Sequence, residues 1–299
     1  MNIVIVGLGA IGGVYATAFH HRGIPFRVAL DSERLLRYGS RPFVFNGVDY
    51  SFDYFTPSFE DSYVADLIIL TTKWDGYFDA LQMIRPLVGD RTVVLPLLNG
   101  ISSERAAIEL FSAERVLYGY FLGHTSTREL GGVSHDGHFT TVFGRASNDL
   151  DSLDYRVGLV ARLFSRAGIS YRVDSDMISS SWQKFVINVG LNQSTAFFRN
   201  NYGEIKRDPQ KLDFTCSLMR EAVEVARCVG VAGWEGLLTK GLDTLDMMRD
   251  GDSSSMRQDV EAGRVTEVDL FAGEVCRLAR ALNILTPCND LVLLHFQLR

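Results

Sequence analysis

A lysine and two asparagines recur at four-residue spacing in an apolar part of the chain. Lys184, Asn188 and Asn192 stand at i, i+4 and i+8 within residues 182–195, and such positions share one face of a helix. The residues between them are mostly apolar, so few other faces of this helix can be exposed. Burying an ammonium group without a neighbouring carboxylate costs several kcal/mol. We therefore interpret the helix as part of a substrate site rather than as a solvated polar stripe.

A glycine pattern near the N-terminus is typical of dinucleotide binding. Residues 7–13 read Gly-Leu-Gly-Ala-Ile-Gly-Gly and follow the apolar run 3–6 directly. In a GxGxxG turn between a strand and a helix, the glycines allow a tight turn and a close approach to a pyrophosphate, which the free N–H groups of the helix hold. The pattern alone is weak, but its place after a buried strand makes it strong. The predicted cofactor-binding residues of this turn are Gly7, Leu8, Gly9, Ala10, Ile11 and Gly12.

Asp31 stands where a residue would meet the adenine ribose of such a cofactor. It ends the next predicted strand, residues 26–30. An acid there accepts hydrogen bonds from both ribose hydroxyls and repels a 2′-phosphate, so Asp31 locally favours NADH over NADPH. Ser32 and Arg34 follow at once and could hold a phosphate if Asp31 turned away.

A third group of polar residues lies near the C-terminus. Ser255 begins a helical pattern, and Glu267 follows twelve positions later. On one straight helix the two would be about 18 Å apart along the axis, too far to share a small ligand. Gly263 offers a break, and a bend there is the condition for a joint role. Serines at a helix start are also commonly caps.

Length and charge limit the kind of protein. The 299 residues suffice for two medium domains, and a net charge of −6 without a long basic run argues against nucleic acid. No apolar stretch reaches the roughly 18 residues of a membrane span. The chain enters its first strand at once, so we expect no signal peptide and a cytoplasmic protein. A homodimer is compatible with the sequence.

Three histidines, His124, His135 and His138, lie near one predicted hairpin. They have no carboxylate at ligand spacing, so we expect solvated turn residues and no metal.

The order of predicted elements favours an α/β fold with an N-terminal Rossmann-type doubly wound sheet and a C-terminal all-helical domain. Strand and helix patterns alternate over residues 1–174, the dinucleotide-binding domain, and helical periodicity is almost continuous over residues 175–299, the substrate and catalytic domain. Strand ends should deliver Lys73 and Asn99 toward the helix of Lys184. The predicted strands are 3–6, 26–30, 66–72, 92–97, 116–121, a hairpin within 132–143 turning at Asp136-Gly137, and 171–173, which closes the sheet; the predicted helices include 77–84, 103–111 and 157–167.

The motifs together resemble the ketopantoate reductase (2-dehydropantoate 2-reductase) family over nearly the whole chain. The last two motifs are the specific ones. The resemblance is carried by GLGAIGG at 7–13, TTK at 71–73, LLNG at 97–100, WQKFVINVGLNQSTA at 182–196 and SSMRQDVEAGRVTEVD at 254–269.

The resemblance implies hydride transfer from a nicotinamide cofactor to the ketone of 2-ketopantoate, giving pantoate. It implies Lys184 as the general acid and Glu267 as a second catalytic group that contacts the substrate or the lysine. Asn188 and Asn192 match substrate-binding amides, and Ser255 matches a hydroxyl that binds the substrate carboxylate.

The resemblance also implies a cofactor contact for Asn99 and for Lys73, which would in addition meet the substrate. It implies NADPH, which the family usually holds with an arginine where this chain has Asp31. A second departure is Asp252, an acid where the family often has an amide. The partner expected is a small 2-oxo acid.

Two alternatives stay open. One is a reductase of a related 2-oxo or 3-hydroxy acid in the same superfamily. The other is a dinucleotide sensor without enzymatic activity, which would have no use for a costly buried lysine.

Overall fold

The chain forms two compact units. The computed structural model describes residues 1–39, 41–123, 126–129, 132–135 and 137–298. One unit comprises Met1–Leu98 and Ser103–Met177, and the other comprises Asn99–Ser102 and Ile178–Arg299. The short segment 99–102 thus belongs with the C-terminal residues, which a single boundary along the sequence does not anticipate.

A five-stranded parallel sheet is the centre of the first unit, in the order β5-β2-β1-β6-β7. The strands β1, β6 and β7 are buried along their whole length because both faces are covered. Val6 pairs with Leu70 and Leu70 with Pro96, so these three strands end level at one edge. The strands are β1 (Ile3–Val6), β2 (Arg27–Ala29), β5 (Tyr54–Phe55), β6 (Leu67–Leu70) and β7 (Val93–Pro96).

Helices cover both faces of this sheet, which confirms the predicted doubly wound fold. Alternate residues of β1 point to opposite faces: Ile3 and Ile5 pack in one core cluster and Val4 and Val6 in another. The first cluster includes side chains of α1 and α5, and the second includes those of α3 and α4. The helices are α1 (Ala10–His21), α2 (Ser32–Tyr38), α3 (Tyr77–Met83), α4 (Ser103–Phe111) and α5 (Tyr155–Ala167).

The predicted hairpin within residues 132–143 is wrong, although both of its strands form. The strand at 132–135 pairs with residues 126–129 and with Phe45, whereas the strand at 139–144 pairs with residues 118–123. Asp136 itself lies outside the described residues. The strand 132–135 pairs with the strand just before it and, at Val133, with Phe45 of a distant strand, so the Asp-Gly signal does not decide the pairing. The strands concerned are β8 (Tyr118–Gly123), β9 (Ser126–Glu129), β10 (Gly132–His135) and β11 (Phe139–Gly144).

Two further features of the strands differ from the prediction. The strand β12 (Tyr171–Arg172) pairs with β11 in a three-stranded sheet, and so does not close the parallel sheet. A short hairpin of β3 (Phe43–Phe45) and β4 (Val48–Tyr50) was not predicted. Its turn is Asn46-Gly47, with φ of 50° and 74°, the pair of residues that this turn type favours.

All regular elements of the second unit are helical within residues 178–298 as described, which confirms the predicted helical C-terminal region. The described residues include no helix with the length and apolar character to cross a membrane. The helices are α6 (Met177–Ile187), a π-helical segment (Asn188–Asn192), α7 (Gln193–Phe198), α8 (Tyr202–Arg207), α9 (Pro209–Cys228), α10 (Leu237–Met247), α11 (Ser255–Glu261), α12 (Ala272–Ala281) and α13 (Pro287–Gln297).

Candidate active site

The glycine turn between β1 and α1 is built for close backbone contact. Gly7 has a φ of +95°, a conformation that L side chains rarely adopt. A Cβ on Gly12 would overlap the carbonyl oxygen of Gly7, so the first turn of α1 packs directly on the preceding loop. A Cβ on Gly9, in contrast, would meet no atom of the described residues within 4 Å, its chain neighbours aside. The space beside Gly9 and the N–H groups at the start of α1 fit a pyrophosphate.

Two residues of the loop that follows β6, Thr71 and Lys73, complete this edge of the first unit. The Thr71 hydroxyl donates to the carbonyls of Gly7 at 2.7 Å and Val6 at 3.1 Å, which holds the glycine turn in place. Lys73 is exposed and precedes a short 3-10 turn that begins at Trp74. It belongs to the first unit, whereas Asn99 belongs to the second.

Asp31 caps helix α2 in the structure. Its Oδ1 accepts a hydrogen bond from the backbone N–H of Arg34 at 2.7 Å, and its Oδ2 lies 3.3 Å from the Arg34 guanidinium. Both side chains are about half exposed, at 47% and 53%. The acid predicted to meet the ribose is therefore paired with the arginine that could hold a 2′-phosphate.

In the second unit, three predicted site residues form one hydrogen-bonded chain. The Lys184 ammonium donates to Asn99 Oδ1 at 3.0 Å, and Asn99 Nδ2 donates to Glu267 Oε2 at 2.9 Å. The residues come from α6, from the segment 99–102 and from the turn before Val268. The Lys184 ammonium and the Glu267 carboxylate thus lie at opposite ends of the Asn99 amide. This arrangement can orient the ammonium group for proton transfer.

The asparagines predicted to share a face with Lys184 lie at the two ends of the π-helical segment. Such segments occur frequently at functional sites. The Asn188 side chain is 8% exposed, and its buried Nδ2 has no hydrogen-bond partner among the described residues. A buried donor without a partner costs about 1–3 kcal/mol. A ligand with an acceptor oxygen would satisfy it.

The predicted break at Gly263 is confirmed. Helix α11 ends at Glu261, and Gly263 follows with a φ of +63°, the left-handed conformation common after a helix. Ser255 is exposed at the first position of α11. Glu267 takes part in the chain with Asn99. Asp252, the second departure from the family pattern, is paired with Arg249 at 2.9 Å.

At the start of α11, Ser254 contacts the π-helical segment and the helix α7 that follows it. It is buried, caps α11 by accepting from the N–H of Arg257, and hydrogen-bonds the Thr195 hydroxyl at 2.7 Å and the Asn192 carbonyl at 3.3 Å. Sequence reasoning did not single out Ser254 or Thr195. The run of serines at a helix start indicates a cap. It does not indicate the hydrogen bonds of Ser254 with Thr195 and Asn192.

Two family models match the chain. The model described as "Ketopantoate reductase PanE/ApbA" matches residues 3–148, and the one described as "Ketopantoate reductase PanE/ApbA C terminal" matches residues 176–298. A 2-dehydropantoate 2-reductase of Pyrococcus horikoshii is 30% identical over 227 residues, 76% of this chain and 73% of that protein. One of Vibrio cholerae is 26% identical over 292 residues, 97% of this chain and 95% of that protein.

Solved structures show the same fold along the chain. A 2-dehydropantoate 2-reductase from Geobacter metallireducens has a TM-score of 0.82 at 24% identity and covers 99% of both chains. D-mandelate dehydrogenase in complex with NADH has a TM-score of 0.84 at 22% identity, covering 98% of this chain and 96% of that one.

Proposed function

Because the chain belongs to the ketopantoate reductase family, whose members are NAD(P)H-dependent oxidoreductases, we propose that it reduces 2-ketopantoate to pantoate. Bound NAD(P)H supplies the hydride that converts the ketone carbon to an alcohol carbon. The ketone oxygen takes up one proton, which the protein must provide. Relatives at 24–30% identity that are named 2-dehydropantoate 2-reductase support this substrate.

Lys184 is the proposed proton donor. Its ammonium polarises the ketone, stabilises the alkoxide as it forms and gives up a proton to it. Asn99 holds the ammonium at 3.0 Å, and Glu267 beyond it supplies a counter-charge. Asn99 and Glu267 therefore both help to orient the Lys184 ammonium. We propose Glu267 as the second catalytic group.

The Nδ2 of Asn188 is the observation that carries the proposal. It is buried and has no hydrogen-bond partner among the residues that the structure describes, a cost that a substrate oxygen removes. We assign Asn188 and Asn192 to the hydroxyl and carbonyl oxygens of the substrate. Ser255 and Lys73 are proposed for its carboxylate, and Lys73 and Asn99 also for the nicotinamide side.

We propose NADH as the preferred cofactor, held at the glycine turn. Gly9 leaves room for a pyrophosphate, and the carboxylate of Asp31 favours ribose hydroxyls over a 2′-phosphate. Arg34 supports the opposite choice, because its guanidinium already lies 3.3 Å from Asp31 and would bind a phosphate if that pair opened. NADPH is thus the competing proposal.

A second candidate substrate is a 2-oxo acid with a larger side chain. D-mandelate dehydrogenase with NADH is among the structural neighbours, at TM-scores of 0.82 and 0.84, and reduction of an aryl 2-oxo acid needs the same hydride and proton.

We also propose a cytoplasmic homodimer. A dimeric ketopantoate reductase from Staphylococcus aureus shares the fold, with a TM-score of 0.76 at 16% identity, and gel filtration tests the oligomeric state.

The deciding experiment incubates the purified protein with NADH or NADPH and with 2-ketopantoate or phenylglyoxylate. Oxidation of the cofactor is monitored as the loss of the absorbance of reduced nicotinamide. We expect a higher kcat/KM for 2-ketopantoate than for phenylglyoxylate, and a higher kcat/KM with NADH than with NADPH. Preference for phenylglyoxylate would select the second candidate. Cofactor binding without turnover of any 2-oxo acid would identify a sensor instead.

A further inference from the structure

Gln193 joins the π-helical segment to the segment that follows Glu267. It is fully buried, at 0% exposed, and both ends of its amide are used. Nε2 donates to the carbonyl of Val189 at 2.8 Å, and Oε1 accepts from the backbone N–H of Ala272 at 2.8 Å. One side chain therefore connects the π-helical segment, which carries Asn188 and Asn192, with the start of α12, five residues after Glu267.

The Val189 end of this bridge supports the turn between the two asparagines. A π turn replaces the i→i−4 bonding of an α-helix by i→i−5 bonding, and a side-chain hydrogen bond to one of its carbonyls favours the wider spacing. Val189 lies within the segment Asn188–Asn192 and is 0% exposed, so water does not reach it. The amide of Gln193 supplies the hydrogen bond, which favours the widened turn that sets the spacing of Asn188 and Asn192.

The Ala272 end supports the position of Glu267. Ala272 is the first residue of α12, where a backbone N–H has no partner within the helix. The 3-10 turn Val268–Leu270 ends two residues before it and begins next to Glu267, whose carbonyl accepts from the N–H of Leu270 at 3.0 Å. Gln193 therefore fixes the far end of the short segment that presents the Glu267 carboxylate to Asn99.

A buried network behind Gln193 fixes which way its amide points. Nε2 also donates to Asn289 Oδ1 at 3.0 Å. Asn289 Nδ2 donates to Glu221 Oε2 at 2.7 Å, and Glu221 accepts the backbone N–H groups of Cys288 and Asn289. Because Asn289 presents its oxygen to Gln193, the amide nitrogen of Gln193 must face Val189 and its oxygen must face Ala272.

We propose that Gln193 is a positioning residue that sets the distance between the substrate amides of Asn188 and Asn192 and the Lys184–Asn99–Glu267 chain. This inference rests on the proposed function only in that one substrate contacts both groups. The side chain of Gln193 hydrogen-bonds both segments and so couples the position of residues 188–192 to that of residues 267–272.

The activity test compares Gln193→Met, which keeps the volume and loses the hydrogen bonds, with Thr286→Val. Thr286 is a matched control because it is buried, hydrogen-bonded to Asp290 at 3.3 Å, and in the same unit. We expect Gln193→Met to lower kcat/KM for the 2-oxo acid by about 10- to 100-fold, the usual result of misplacing reacting groups by about 1 Å. KM for the cofactor should change less than about twofold, and Thr286→Val should leave both constants near those of the unaltered protein.

Amide hydrogen exchange tests the coupling whether or not 2-ketopantoate is the substrate. In Gln193→Met, exchange should accelerate by about tenfold or more both at 188–192 and at 268–275. Gln193→Glu keeps the acceptor for Ala272 and loses the donor for Val189, so acceleration should be confined to 188–192. No turnover by the unaltered protein would reject the proposed function alone. Unchanged exchange at either segment in Gln193→Met, an equal loss of activity in Thr286→Val, or failure of both Gln193 variants to fold would overturn the positioning role.

Discussion

The glycine turn of the first unit and the π-helical segment of the second achieve binding geometry by opposite means. The turn at residues 7–12 depends on missing side chains, since a Cβ at Gly12 would overlap the backbone of Gly7. The segment Asn188–Asn192 depends on buried polar side chains, among them Gln193 and Thr195, both 0% exposed. The glycines of the turn stand together in the sequence, with one distant contact from the Thr71 hydroxyl. The buried side chains beside the π-helical segment, Thr195 and Gln193, instead hydrogen-bond residues 59 and 79 positions away.

This difference decides what a substitution does in each region. In the turn, an added methyl group interferes with packing or with a ligand, depending on where it points. In the π-helical segment, a removed polar group leaves a partner unpaired, and the cost depends on whether that partner was a protein atom or a substrate. The two regions therefore respond differently in stability and in activity.

The largest effect is expected from Lys184→Ala. Loss of the proton donor should lower kcat by about 10²- to 10⁴-fold, the usual contribution of a general acid, and leave cofactor affinity nearly unchanged. Steady-state kinetics and cofactor titration measure both. Lys240→Ala is the control, because Lys240 is an exposed lysine of the same unit whose Nζ donates to Gln183 at 3.1 Å. Full activity of Lys184→Ala would remove Lys184 from the mechanism.

Alanine at Gly9 or at Gly12 separates ligand contact from packing in the turn. Gly9→Ala should leave the unfolding free energy of the cofactor-free protein nearly unchanged, because its Cβ contacts none of the described residues beyond its chain neighbours within 4 Å. It should nevertheless weaken cofactor binding by about tenfold or more. Gly12→Ala should cost about 1–3 kcal/mol of stability by overpacking. Denaturant titrations and cofactor binding assays distinguish the two. Normal cofactor affinity in Gly9→Ala would argue against a pyrophosphate at this turn.

Asn188→Leu should raise stability while lowering activity. The substitution removes a buried donor that has no partner among the described residues, so the unfolding free energy should rise by up to about 1 kcal/mol. KM for the 2-oxo acid should rise by about tenfold, because a substrate hydrogen bond is lost.

The matched comparison is Asn289→Leu. Its amide donates to Leu218 and to Glu221 and accepts from Gln193, so its loss should cost about 2–4 kcal/mol. If Asn188→Leu were as destabilising as Asn289→Leu, the Asn188 amide would have a structural role instead of a ligand.

The same contrast explains which features could be predicted from the sequence. The apolar strands β1, β6 and β7, the glycine turn and the break at Gly263 follow from short patterns, and the structure has them. The partner of Asn99 is Glu267, 168 positions away, and that of Gln193 is Ala272, 79 positions away. Such pairs depend on helix packing that a local pattern does not encode. The hairpin predicted within residues 132–143 failed because two other pairings compete with it, one with the neighbouring residues 126–129 and one with the distant Phe45.

The smallest effect is expected at Asp31, where a local rule and a tertiary contact compete. Asparagine is also a good helix cap, so Asp31→Asn should keep the hydrogen bond from the Arg34 N–H and lose only the charge that pairs with the guanidinium. Arg34 then becomes available to a 2′-phosphate. Because a half-exposed ion pair is worth at most about 1 kcal/mol, the ratio of kcat/KM for NADPH to that for NADH should rise by about three- to fivefold. Asp154→Asn is the matched control, since Asp154 caps α5 and lies 3.2 Å from Arg145, and it should leave the ratio unchanged. A ratio that is also unchanged in Asp31→Asn would mean that neither Asp31 nor Arg34 selects the cofactor, and that selection depends on residues outside the α2 cap.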